Sequence, residues 1–430
     1  MRTVSNLRRP RAWFVLLLGL LVTFVAPLGA SAKPGHDGPG HGSSKHALYT
    51  ATNNPAGNAV IVFTRNHDGT LTQQATVPTG GLGAAAEPPF SFPIVDTQGS
   101  INIAKGGDVL FVVNAGDNTI SSFRVTHGGL QLVDRVPSGG VLPVSLTSHG
   151  DVLYVVNEES ANIYGFRFSG NGDLRPLPGQ APNGRSLSTA FPTTVSAAIG
   201  FTPDGRQLVV TQRGLPAVSG VIDTFAVSGN GLAGPAHKST GAGFVEANPF
   251  GFDFDNKGRL YVSNAGYINW PSNGAGPPLP IIGDPTQFLG SATAYNLSNS
   301  GSLTRINDVL SGGRAACWLV VTQDGKYAYV TNTLSDTPAD LFTGKGAVTE
   351  YAIQHNGALK YLGQVDAGPG SPGDEAFSPG GRYLYVNVPT IFPPDGGSHI
   401  ETYRINKDGS LTHVASAGGL PATISGLAAG

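Results

Sequence analysis

Asp374 and Glu375 are adjacent carboxylates followed by Ala376-Phe377 and a Gly-Gly turn. A buried pair of this kind repels, so one member holds its proton toward neutral pH, as a general acid or base requires. The competing role is a structural ion pair with an arginine, which also perturbs a pKa. Glu158 and Glu159 follow an apolar strand, Arg213 stands at the matching point further on, and Glu246 and Arg314 precede strands. With Trp318 these groups would form a pocket with acidic, cationic and aromatic sides, and the planar guanidinium fork suits a carboxylate or phosphate ligand. Solvated rim charge is their alternative role. Tyr267 and Trp270 lie in the Gly- and Pro-rich stretch 265–290, where a ring could stack on a ligand or pack on neighbouring strands. Cys317 is the only cysteine, so no internal disulfide forms; beside Trp318 it reads as a small buried hydrophobe rather than a nucleophile.

The elements that position these residues are repeats. A short apolar strand ending in Asn recurs: Leu110-Phe-Val-Val-Asn114, Leu153-Tyr-Val-Val-Asn157, Leu260-Tyr-Val-Ser-Asn264, Tyr327-Ala-Tyr-Val-Thr-Asn332 and Tyr383-Leu-Tyr-Val-Asn387. Weaker copies end at Asn53 and Gln212. Seven copies at about 56 residues each are spaced somewhat wider than common propeller repeats. A Gly turn and another strand precede each copy; a loop, an alternating third strand, a second Gly turn and a fourth strand follow. The chain is therefore expected to be all-β: a seven-bladed β-propeller of four-stranded antiparallel blades. Residues 47–79 supply only three strands of the first blade, so Thr423-Ile-Ser-Gly-Leu427 is expected to complete it and close the ring.

The Asn residues then ring one end of the channel, the mouth. Asn114, Asn157, Asn264, Asn332 and Asn387 either cap their own strand ends or offer amides to a neutral ligand. The repeats also place the histidines. His67, His127, His149 and His355 fall at Gly hairpins, and His399 and His413 on outer strands, all read as turn or surface positions. No His-x-His occurs, and no histidine falls at a mouth position. Glu375 breaks a pattern of paired apolar residues on inner strands, Ile101/Ile103, Phe252/Phe254 and Leu319/Val321, and is the leading candidate for proton transfer.

Charged residues are 13% of the chain against a usual ~25%, and net charge is −2, which gives no bulk attraction for nucleic acid. Arg2, Arg8, Arg9 and Arg11, the apolar run Trp13 to Val25 and Ala30-Ser31-Ala32 make residues 1–32 an expected signal peptide. Residues 33–45 are an expected flexible linker, whose His36 and His41 have no structured metal spacing, and 46–430 the propeller. The expected product is secreted and monomeric, without a transmembrane anchor, cofactor or metal.

The runs from Leu153 ("LYVVNE…ANIYGFRFSGNGDLRPLPG"), Pro203 ("PDGRQLVVTQ") and Cys317 ("CWLVVTQDGKYAYVTN") resemble the lactonase-family propellers, which include 6-phosphogluconolactonase and carboxymuconate cyclase types. The resemblance covers residues 46–430. It implies a lactone as substrate class and, in enzymatic members, a histidine motif with Glu and Arg at the channel mouth. The histidine has no counterpart here. The expected function is therefore a small-molecule or protein ligand bound at the mouth, without histidine chemistry. The alternative is a lactone hydrolase or cyclase that uses Glu375, Glu158 and Arg213 or Arg314.

Overall fold

The computed structural model describes residues 46–84, 95, 97–104, 106–214, 219–239, 248–266, 289–334, 345–390 and 397–430. The expected signal peptide, linker and long loop, with Glu246, Tyr267 and Trp270, lie outside them. Seven antiparallel blades follow one another along the chain, each four-stranded except that the outer edge of blade 3 is split into two short strands, Leu174–Pro176 and Arg185–Ser186. Blades 5 and 6 form one seven-stranded sheet, because the 19-residue strand Leu303–Val321 is the outer edge of the former and the inner strand of the latter. Among the described residues no helix is long and apolar enough to cross a membrane.

The inner strands are Ser425–Ala429, Ile101–Ile103, Pro143–His149, Thr194–Phe201, Pro249–Phe254, the second half of Leu303–Val321, and Glu375–Phe377 for blades 1 to 7. The second strands carry the repeated apolar runs and are buried on both faces, as in Val109–Asn114 and Val152–Asn157. A strand packed between two blades has no solvent face, which is why these copies read as continuous rather than alternating apolar runs. Third strands such as Thr119–Thr126 are buried through their first half and emerge toward their ends, and fourth strands such as Leu71–Pro78 are largely exposed. Large rings fill the spaces between blades: Tyr49, Tyr154, Tyr261, Tyr329, Tyr385 and Phe111 are fully buried.

The ring closes at the C-terminus as expected, two residues further along than the sequence indicates. Ser425–Ala429 is the inner strand of blade 1, with Leu48 opposite Ala429, Tyr49 opposite Ala428 and Ala51 opposite Ser425. Thr50 Oγ1 donates to the Gly426 carbonyl at 2.8 Å, and Ile424 and Leu427 are buried in the seam between blades 7 and 1.

The repeats give no sign of what fills the channel. The segment before the blade 2 inner strand crosses it, and four consecutive residues reach all seven blades. Thr97 Oγ1 donates to Val144 O at 2.7 Å in blade 3, and Gln98 N to Ala197 O at 3.0 Å in blade 4. Gln98 Nε2 donates to Phe252 O at 2.9 Å in blade 5 and Leu319 O at 3.1 Å in blade 6. Gly99 N donates to Asp374 Oδ2 at 3.0 Å in blade 7. Ser100 O accepts Val113 N–H of blade 2, and Ser100 Oγ meets Ser425 Oγ of blade 1 at 3.4 Å. This plug needs Gly251, since a Cβ there would stand 2.1 Å from Gln98 Oε1 and 2.6 Å from the Cys317 carbonyl.

Candidate functional site

The second strands aim their terminal amides at the mouth end, but under a cover. Asn114 is fully buried: its Nδ2 donates to Thr119 Oγ1 and Ser121 Oγ, and its Oδ1 accepts from Asn58 Nδ2 at 3.0 Å and Thr79 Oγ1 at 2.7 Å. Asn332 repeats this, donating to Thr349 Oγ1 and accepting from Ser311 Oγ at 2.6 Å. Asn264 donates to Ser291 Oγ and Thr293 Oγ1, Asn157 to Ser138 O, and Asn387 reaches Gly426 O at 3.5 Å. Asn114, Asn157 and Asn332 tie a blade to the connection arriving from its predecessor, whereas Asn264 holds the third strand of its own blade and Asn387 reaches the inner strand of the next blade. These partners do more than cap a strand end, although Asn332 Nδ2 also reaches Val330 O of its own strand at 3.5 Å, and the Oδ1 atoms of Asn157, Asn264 and Asn387 remain without a partner. A signal in the sequence could have found this role. Thr79-Gly80-Gly81, Ser138-Gly139-Gly140 and Ser311-Gly312-Gly313 recur before the inner strands, and a Cβ on the second Gly of each would stand 2.4 to 2.6 Å from Asn114, Asn332 or the Ser160 hydroxyl beside Asn157.

The structure brings Arg213, Trp318 and Arg314 to the mouth end of blades 4 to 6. The Arg213 guanidinium carbon lies 4.8 Å from the centre of the Phe250 ring, the cation–π arrangement. Phe250 meets Trp318 at 5.0 Å between ring centres, and Trp318 Nε1 donates to Thr97 O of the plug at 3.0 Å. Cys317 is buried beside them, as expected, with Ala197, Ala265 and Ala315. Arg314 is only 5% exposed, and its Nε has no hydrogen-bond partner. No acidic side chain pairs with it among the described residues. Glu158 is half-buried at the mouth of blade 3, in the turn joining Asn157 to Asn162.

Asp374 and Glu375 are not part of this group. Glu375 occupies the register of Ile101, Phe252 and Leu319, opposite Val386, as the repeat comparison indicates. It lies in the wall between blades 6 and 7, 4% exposed, and neither carboxyl oxygen has a partner. The arginine that an ion pair would require is missing among the described residues. Burial first, then Asp374 and Asp253, push its pKa well above the ordinary value. Asp374 Oδ1 accepts Glu375 N–H and Oδ2 accepts Gly99 N–H; burial lifts it to about 7 against these bonds. Asp374 anchors the plug, and Glu375 is a buried acid behind it.

His67, His127, His149 and His355 are exposed at hairpins, as read from the repeats. His399 departs from its surface reading: it is buried, with Nε2 3.0 Å from Glu401 Oε1, while His413 Nε2 lies 2.6 Å from Glu401 Oε2 and Ser416 Oγ donates to the same carboxylate at 2.7 Å. Burial alone would lower the His399 pKa, but Glu401 outweighs it and the net shift is upward; for Glu401, burial would raise the pKa and the two histidines and Ser416 pull it down. The His399 contribution to stability is present below about 6.5 and lost as pH rises through its folded value. That of Glu401 is present above about 4.5 and lost as pH falls through its own. Glu401→Gln should therefore cost about 1–3 kcal/mol at pH 6 and less at pH 9, read by chemical denaturation. An equal cost at both values would remove imidazolium charge from the account. Among the described residues no group of three or more His, Cys, Asp or Glu side chains is placed to hold a metal ion.

The family model for lactonases, seven-bladed β-propellers, matches residues 32–191, 144–265 and 282–420. The chain belongs to the lactonase family. Among solved structures, this lactonase-family chain is similar to a protein of Bacteroides uniformis with the provisional description 6-phosphogluconolactonase (TM-score 0.61, 17% identity, 88% of this chain and 99% of that one). It is also similar to a counterpart from Bacteroides fragilis (0.60, 18%, 91% and 99%) and to the periplasmic gluconolactonase of Pseudomonas aeruginosa (0.58, 17%, 89% and 98%). At these identities the likeness is one of fold. No curated protein matches the chain.

Proposed function

We propose that this exported lactonase-family propeller binds a small anionic sugar-acid derivative, a lactone or its open carboxylate, at the Asn end of its channel. The observation that carries the reading is Arg314, a buried guanidinium with an unpartnered Nε and no acidic partner among the described residues. A buried cation without an anion is costly, and a ligand carboxylate or phosphate would supply the missing charge. Arg213 over Phe250, with Trp318 behind, gives the ligand a second cation and an apolar wall. Export rests on the charged, apolar and Ala-Ser-Ala segments of residues 1–32.

Family membership favours a second reading, lactone hydrolysis at the same place. In it water adds to the lactone carbonyl as Glu158 takes its proton, the ring C–O bond then breaks, the departing ring oxygen takes that proton back from Glu158, and Arg314 holds the carboxylate that forms. The test is calorimetric titration with 6-phosphogluconate and glucono-1,5-lactone, with lactone consumption followed in parallel. Arg314→Met should weaken binding of the phosphorylated acid at least tenfold, about 1.4 kcal/mol. Unchanged affinity in a folded Arg314→Met protein would sink the reading. Turnover lost in Glu158→Gln with affinity retained would select the hydrolase over the binding protein.

A further inference from the structure

The channel continues on the other side of the plug, toward the hairpin end, as a cavity of about 240 Å³. Gln98 and Gly99 form its floor. Leu146, Ala198 and Phe252 are buried near that floor, whereas Phe201, Asp253 and Phe254 are half-buried at the ends of their strands. The cavity therefore opens at the end of the propeller opposite the Asn residues. It is smaller than the ~300–1,000 Å³ of pockets for drug-sized ligands, so its occupant is small.

Asp253 is the only charged side chain among the described lining residues. Its Oδ2 accepts Val321 N–H at 2.9 Å and its Oδ1 accepts Phe254 N–H at 2.7 Å, which fixes the direction of the carboxylate without neutralising it. No basic side chain pairs with it among the described residues. Phe201, Phe252 and Phe254 supply aromatic walls, with Phe252 and Phe254 edge to face at 5.8 Å between centres. The negative faces of aromatic rings attract a cation, and one carboxylate beside them sets the sign of the whole cavity.

We propose that this cavity is a binding site for a small organic cation, with the ammonium group against Asp253 and its carbon substituents on the phenyl rings. An anion would meet Asp253 with no Lys, Arg or His in the described lining to offset it. A hard metal ion needs several oxygen ligands, and three of the walls are phenyl rings. A neutral apolar guest would leave the carboxylate desolvated and unpaired.

The experiment compares choline with its uncharged carbon isostere, 3,3-dimethylbutan-1-ol, by calorimetric titration of the protein. Choline should bind saturably and at least tenfold tighter than the isostere. Asp253→Asn, which keeps the shape and removes the charge, should lose about tenfold in choline affinity. Phe201→Leu leaves the carboxylate and its two amide donors in place and should lose about threefold. Equal binding of the two compounds by the wild type, or no saturable binding of choline, overturns the proposal without reference to any variant. Unchanged choline affinity in a folded Asp253→Asn protein overturns it as well.

Discussion

Deleting residues 420–430 should leave a chain that cannot fold into a stable ring. The deletion removes the inner strand of blade 1, Ser425–Ala429, together with the buried Leu420, Ile424 and Leu427. Burying each such side chain contributes about 1.5–3 kcal/mol, and a domain's total stability is only about 5–15 kcal/mol. The deletion also strands polar groups. Thr50 Oγ1 loses the Gly426 carbonyl, Thr52 O loses the Thr423 hydroxyl, and the strand Ala47–Ala51 becomes an open edge. The expected outcome is aggregation, or a monomer without a cooperative thermal transition. A truncated protein that melts within about 2 °C of the full chain would show that the closing strand is dispensable.

Glu375→Leu should stabilise the protein, by roughly 1–3 kcal/mol at pH 7.5. The position is a test of burial without compensation, because both carboxyl oxygens lack partners and blades 2, 5 and 6 place Ile101, Phe252 and Leu319 at the same register. Its pH dependence follows from the direction of the shift. Below about 4.5 the group is protonated in both states and its shift carries no penalty. As pH rises further the unfolded chain ionises and the folded one does not, so stability falls until the folded pKa is reached. Asp374 near 7 and Asp253 near 6 act with the same sign. Wild-type stability should therefore decline from pH 5 to pH 8 more steeply than that of Glu375→Leu, in urea unfolding at each pH. A variant less stable than wild type at pH 7.5 would mean that the carboxyl has a stabilising partner.

Blade number, the four-strand unit and ring closure were legible because each rests on a pattern repeated within the chain. The same comparison located Glu375 correctly in the inter-blade wall, since its neighbours in register are apolar in other blades. It could not supply the chemistry, because whether a buried acid faces an arginine, a ligand or nothing depends on neighbouring blades. The Asn residues show this limit in another form. Their recurrence was visible, yet their partners differ from blade to blade: Thr79 of the arriving connection for Asn114, Thr293 of its own blade for Asn264 and Gly426 of the next blade for Asn387. The plug was hidden for the opposite reason: Thr97 to Ser100 occur once, so no repeat marks them, and a Gly- and Pro-containing stretch before a strand reads as an ordinary loop. Only its length, from Pro78 to Ile101, set it apart.

If both ends of the propeller hold ligands, those four residues impose a thermodynamic relation between them. Thr97 presents its carbonyl to Trp318 on the mouth side, and Gln98 beside it forms part of the floor of the opposite cavity. A molecule at the mouth that prefers one position of Trp318 thereby prefers one position of the segment, and so one shape of the far cavity. Linkage makes the effect reciprocal: whatever factor an occupant at one end adds to affinity at the other, it receives in return. The strength of that coupling is bounded by how far Thr97–Ser100 can move while bonded to seven blades, so the segment that separates the two compartments also sets how strongly each senses the other.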